Sequence, residues 1–206
     1  MSLGLALAAV ATPAQAREPV RIVAFGDSLT AGYQLPPEAA FPAQLEAALT
    51  ARGHAVEVIN AGVSGDTTSG GLSRLDWSVG EAADAVIVEL GGNDALRGLP
   101  VAAARRNLDA IVGRLTERGL PVLVAGMRAP RNMGDEYVAA FDAMFAEIAE
   151  RHGALLYPYF LEGIPISAET VMADGIHPTE RGVALIVEGI LPKVEALIAE
   201  VEAARG

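Results

Sequence analysis

Cysteine is absent from the 206 residues. That excludes a disulfide scaffold, a thiolate nucleophile, a cysteine-based metal site and an acylated lipoprotein cysteine. Positive charge is scarce, with 15 Lys and Arg against 26 Asp and Glu, a formal charge of −11 and a pI near 4.7. Polyanions are bound by clustered cations that displace their counterions, so nucleic acid is not an expected partner. Histidine occurs at only three positions, His54, His152 and His177. No histidine pair or acidic cluster has metal-site spacing, and no metal is expected. No apolar run reaches the roughly 20 residues a bilayer core requires, which argues against a stable membrane anchor. No repeat or low-complexity block interrupts the chain, and 51% hydrophobic content at this length suits one domain with a substantial core.

What is present begins with an apolar, uncharged stretch, residues 3–11, broken by Pro13 and followed by Ala14-Gln15-Ala16 just before Arg17-Glu18. This small-x-small pattern predicts a secretory signal over residues 1–16, cleaved after Ala16, with one domain over 17–206 in a periplasmic or secreted protein. Met1-Ser2 carries no basic residue for a positive n-region, so the natural start is expected upstream of Met1.

From Val20 onward, short apolar runs alternate with longer amphipathic segments. Strands are predicted at residues 20–25, 55–60, 85–90, 121–125 and 154–157, each rich in β-branched or aliphatic side chains. Helices are predicted at 42–52, 67–77, 100–118, 135–151 and 180–203, where apolar residues recur at three and four. Arg52-Gly53, Arg118-Gly119 and His152-Gly153 each place a basic residue and then glycine at a helix end. Regular β-α alternation implies right-handed crossovers, hence a five-stranded parallel sheet in a three-layer α/β/α domain.

Such sheets bind ligands beyond the carboxyl ends of their strands, and polar residues gather after each predicted strand. Ser28 follows the first within Gly26-Asp27-Ser28-Leu29, where Gly26 permits a sharp turn. Taken alone, Ser28 fits a helix cap as well as a nucleophile. Asn60-Ala61-Gly62-Val63-Ser64-Gly65-Asp66 follows the second, Gly91-Gly92-Asn93-Asp94 the third, and Asp174-Gly175-Ile176-His177-Pro178 lies beyond the fifth. A serine hydroxyl needs a base, and an imidazole ionising near ~6.5 suits that task. Asp174, three residues before His177 with a glycine between, is placed to bond Nδ1 and leave Nε2 free for the Ser28 proton. An oxyanion needs fixed donors, for which the Asn93 amide, the Gly62 N–H and the nucleophile's own N–H are candidates. Asp27 is expected to brace the strand-end loop, and Asp66 to cap the helix after it. His54 and His152 read as surface or capping residues.

Together Gly26-Asp27-Ser28-Leu29, Gly62, Gly91-x-Asn93-Asp94 and Asp174-x-x-His177 resemble the four sequence blocks of the SGNH (GDSL-type) hydrolases, in order and across nearly all of the chain after Arg17. Residues 60–67 and 88–98 look most similar to the family's bacterial periplasmic group of acyl-CoA thioesterases, lysophospholipases and arylesterases. The resemblance implies a flavodoxin-like fold, a serine esterase or thioesterase working through an acyl-enzyme, and no cofactor. By position it implies a Ser28, His177 and Asp174 triad, with Ser28, Gly62 and Asn93 forming the oxyanion hole. A carbohydrate O-acetyl esterase on the same fold is the nearest alternative, and an inert secreted binding module a more distant one. A small-molecule or lipid acyl ester is the expected partner of a monomeric enzyme. Leu96, Leu99, Met127 and Met133 are candidate apolar lining for its acyl group, although ordinary loop packing explains each as well. Arg97, Arg128 and Arg131 are either attractors for an anionic head group or solvated charges.

Overall fold

Five strands form one parallel sheet: β1 (Val20–Gly26), β2 (Val56–Gly62), β3 (Ala85–Glu89), β4 (Val122–Ala125) and β5 (Leu155–Tyr157). Their order is β2-β1-β3-β4-β5, and each adjacent pair runs parallel. The computed structural model describes residues 18–206, so the segment expected to be a signal, residues 1–16, lies outside the described residues. The strands are short because each crosses the core once, and every residue of β3 and β4 is buried, as strands covered on both faces must be.

The helices are α1 (Ser28–Ala31), α2 (Phe41–Ala51), α3 (Thr68–Ser78), α4 (Gly92–Leu96), α5 (Val101–Glu117), α6 (Asp135–His152) and α7 (Glu180–Arg205). α2 packs on α7 and β2, while α5 packs between α3 and α6 and the three lie on β1, β4 and β5. Two helical layers therefore enclose the sheet, giving the expected α/β/α architecture. Gly53, Gly119 and Gly153 all have positive φ, so the basic-then-glycine endings are left-handed terminations as the sequence implies.

Two local expectations are revised. Ser28 and Asn93 sit in short helical turns, α1 and α4, that are not among the predicted helices, and Leu96 closes the second of them. Met133 belongs to a 3₁₀ turn, Arg131–Met133. The cap of α3 is Thr67, which accepts from the Gly70 N–H. Asp66 instead forms a 2.6 Å ion pair with Arg74.

Arg74 ties the site-bearing edge of the sheet together. From α3, its guanidinium donates to the carbonyls of Gly26 at the end of β1 (2.9 Å) and Ala61 at the end of β2 (2.8 Å). It also donates to Ser78 Oγ and lies 4.2 Å from the centre of the Phe25 ring. Removing one partner of a buried pair leaves the other charge uncompensated. Arg74→Met should therefore lower unfolding free energy by about 3–5 kcal/mol in urea titrations, and a change below about 1 kcal/mol, the level of an exposed pair, would contradict this role.

Candidate active site

In a sheet ordered 2-1-3-4-5 the chain leaves β1 toward β2 on one side and returns on the other at β3. The crevice between the carboxyl ends of β1 and β3 is thus the switch point where such folds bind ligands. Ser28 follows β1 and Asn93 follows β3, so both stand at that crevice.

Asp27 caps α1, its Oδ1 accepting from the Leu29 N–H at 3.0 Å. Ser28, 9% exposed, opens the helix, and its N–H is among those that an α-helix leaves without an internal acceptor. Gly32 ends the turn at φ +80. Gly26 is required for a different reason from the one expected: a Cβ there would lie 2.6 Å from Glu89 Oε2 and clash with Thr30 Oγ1. The strand end is therefore compressed against β3 and α1, which excludes a side chain.

His177 arrives from the far end of the sequence on a clasp closed by the Val171–Pro178 bridge and by Met172 N–H donating to the His177 carbonyl at 2.8 Å. At its tip Gly175 adopts φ +72, and Asp174 Oδ1 accepts from the N–H groups of Ile176 (2.9 Å) and His177 (3.0 Å). Asp174 Oδ2 lies 2.6 Å from His177 Nδ1. Those hydrogen bonds, led by the His177 N–H, hold the Asp174 carboxyl down to about 2. Across 149 positions of sequence, His177 Nε2 stands 2.8 Å from Ser28 Oγ. The carboxylate fixes Nδ1 as the donor and leaves Nε2 to accept from the hydroxyl. The sequence did not single out Tyr33, whose ring lies 4.4 Å from the imidazole, tilted by 34°. Its backbone N–H bonds the Ser28 carbonyl at 3.1 Å.

On the opposite side, Asn93 Nδ2 donates to Asp27 Oδ2 at 2.9 Å. An amide has two N–H groups, so the second is available to the crevice. Gly62 does not fit the donor role expected of it. Its N–H is engaged by Asn60 Oδ1 at 3.0 Å, and a Cβ would lie 2.3 Å from Ala31 N, so the glycine permits close packing of β2 on α1. Three residues on, a turn closed by Asp66 N–H to the Val63 carbonyl at 3.1 Å places Gly65 at φ +79, the third position of a type II turn. The Gly65 carbonyl accepts from Arg97 Nη2 at 2.7 Å, while its N–H has no acceptor among the described residues. Sequence alone does not separate these two glycines, which lie three residues apart where β2 ends and the next loop begins.

The four expected lining residues are dispersed. Leu96 is 53% exposed, one turn of α4 beyond Asn93. Met127 is 8% exposed and packs under Gly92. Leu99 and Met133 lie toward α6, where Tyr137 donates to the Leu99 carbonyl and Met133 packs on Gly98. Of the four, only Leu96 is an exposed apolar side chain near a site residue, and it is joined there by Tyr33, Val63 and Ile176, which were not expected. The three arginines are engaged within the fold, Arg97 on Gly65, Arg128 on Glu162 and Arg131 on Asp142.

The profile of the GDSL-like Lipase/Acylhydrolase family matches residues 24–185. An arylesterase of Vibrio mimicus is 38% identical over 169 residues, covering 82% of this chain and 84% of the relative. The esterase TesA of Pseudomonas aeruginosa is 35% identical, with 86% and 89% covered. Among solved structures, the SGNH-hydrolase family esterase AlinE4 is 44% identical with a TM-score of 0.74, covering 88% of this chain and 98% of that one. The order of the sheet, the serine, histidine and asparagine at its switch point, and these likenesses agree: the chain belongs to the GDSL-like lipase/acylhydrolase family, the SGNH hydrolases whose sequence blocks it resembles.

Proposed function

We propose that this ester hydrolase acts on acyl esters and thioesters through an acyl-enzyme formed on Ser28. The observation that carries the assignment is the continuous chain from Asp174 Oδ2 to His177 Nδ1 and from His177 Nε2 to Ser28 Oγ, at 2.6 and 2.8 Å. Ser28 Oγ attacks the acyl carbonyl as its proton passes to His177 Nε2, and the Asp174 carboxylate stabilises the imidazolium. The oxyanion is received by the Ser28 N–H, the Asn93 amide and, in place of Gly62, the Gly65 N–H. Collapse of the tetrahedral intermediate expels the alcohol or thiol, which takes the proton from His177. Water, deprotonated by the same imidazole, then releases the acid and restores Ser28.

Tyr33, Val63, Leu96 and Ile176 give the crevice an apolar rim suited to an acyl or aryl group. The relatives are an arylesterase, an esterase and a thioesterase/lysophospholipase, which supports the same substrate class here. Among the described residues no helix is long and apolar enough to cross a membrane. With the signal pattern of residues 1–16, we read residues 17–206 as one periplasmic or secreted hydrolase domain, acting as a monomer.

Ser28→Ala should fold normally and lower kcat by ~10⁴-fold or more toward p-nitrophenyl esters, as in other serine triads; retained turnover would refute the nucleophile. Asn93→Ala should lower kcat by about 10²–10³, the range for one oxyanion donor, whereas a change confined to KM would count against that role. Because Asp174 stays ionised down to about 2, activity lost on acidification should follow protonation of the imidazole. The logarithm of kcat/KM should fall with unit slope on acidification as one proton adds to the base. A profile that does not fall on acidification, or an acid limb in the ordinary carboxylate range, is incompatible with this mechanism.

A further inference from the structure

Glu89 is the last residue of β3, has 0% exposure and lies opposite Gly26 in the register with β1. Its Oε2 accepts from Thr30 Oγ1 at 2.8 Å and from the Asp27 N–H at 3.3 Å. Its Oε1 is buried, and no donor faces it among the described residues. The groups around it come from each neighbouring element. Gly26 contributes no side chain, α1 offers the Thr30 hydroxyl, and Asp27 brings a second carboxyl. Arg74, the nearby guanidinium on α3, is fully engaged by Gly26, Ala61, Asp66 and Ser78. No cation thus pairs with Glu89, and an anion here would be an uncompensated buried charge beside another.

Resting on the oxyanion-site reading above, we propose that Glu89 is a neutral carboxylic acid that acts as a positioning residue, donating its proton to the Asp27 carboxylate and thereby holding Asn93 in place. The two carboxyls meet side chain to side chain, and because Oε2 already accepts from Thr30 Oγ1 and the Asp27 N–H, the shared proton is assigned to Oε1, the buried oxygen that faces no donor. Burial and the Asp27 charge push Glu89 well above the ordinary range of a glutamate. Asp27 is raised by its own burial, against which the Leu29 N–H and the Asn93 amide act to keep it ionised. An ionised Asp27 fixes the amide, because the opposite flip of Asn93 would set its oxygen against a carboxylate. The free N–H of Asn93 is then held toward the crevice. The acid, the carboxylate and the amide form a relay of hydrogen bonds from the core to the site.

The folded state binds a proton on Glu89 that the unfolded chain has already released at neutral pH, so stability falls as pH rises above the ordinary glutamate range. Glu89→Gln and Glu89→Met separate a neutral donor from mere volume. Wild type should show a carboxylic-acid C=O band in its infrared spectrum at neutral pH, absent in both variants, and both should lose the alkaline decline in stability. Glu89→Gln, which still donates through its amide, should keep kcat within about threefold. Glu89→Met should lose about tenfold or more in kcat at unchanged KM, short of the 10²–10³ that follows loss of the donor itself. Absence of the band, Glu89→Gln as impaired as Glu89→Met, or full kcat in Glu89→Met would overturn the proposal. Should Glu89→Met fail to fold, the band and the Glu89→Gln kinetics decide alone. The band and the stability slope do not require turnover, so they report on Glu89 even if Ser28→Ala stays active, a result that would refute the nucleophile without touching the protonated carboxyl.

Discussion

The carboxylate of Asp27, 2% exposed, is the point to which the ends of the central strands are referred. One oxygen caps the turn that carries Ser28, and the other holds the amide of Asn93. Its own N–H is bound by Glu89 from β3, its carbonyl accepts from the Ala31 N–H, and Gly62 closes on that carbonyl from β2. A buried anion is costly unless fixed donors replace its hydration. The donors that do so here are the turn that carries Ser28 and the amide of Asn93, so the stability of the core and the geometry of the site depend on the same bonds.

Around this centre the loops are held by side chains bonded to backbone rather than by long helices. Arg74 joins the carbonyls ending β1 and β2. Asp94, the neighbour of Asn93, receives both the N–H and the hydroxyl of Thr68 at 2.8 and 2.7 Å, which ties α4 to the start of α3. Arg97 clips the Gly65 turn onto the end of α4. Fixed donors do not have to reorganise as charge develops, which is how such an arrangement lowers a barrier. His177 is mounted separately, on the 171–178 clasp, and meets Ser28 across 149 positions of sequence.

Most of the architecture was legible in the sequence, because apolar runs, amphipathic segments and glycine endings each have a local cause. The sequence also pointed to Ser28, Asn93, Asp174 and His177 as one group through their four blocks, and the structure brings Ser28, Asp174 and His177 into one hydrogen-bonded chain with Asn93 held by Asp27 beside it. What escaped was set by contacts between distant residues. α1 and α4 are too short to show a helical period. Gly62 ends β2 and Gly65 lies three residues on, and only the hydrogen bond that the Gly62 N–H donates to Asn60 and the left-handed backbone of Gly65 distinguish them. Asp66 and Thr67 are both good caps, and the choice was made by Arg74 eight residues later. Glu89 drew no notice within the predicted strand 85–90, because its neighbours Asp27 and Thr30 are about sixty positions away.

The central claim, that Ser28 is the atom-bearing nucleophile of this crevice, is tested most directly by locating a covalent adduct. Folded protein treated with a fluorophosphonate and digested for mass spectrometry should carry one phosphonyl group, on the peptide bearing Ser28, and labelling should fall away when His177 is replaced. An unlabelled Ser28 in folded, active protein, or an adduct on another residue, would contradict the assignment.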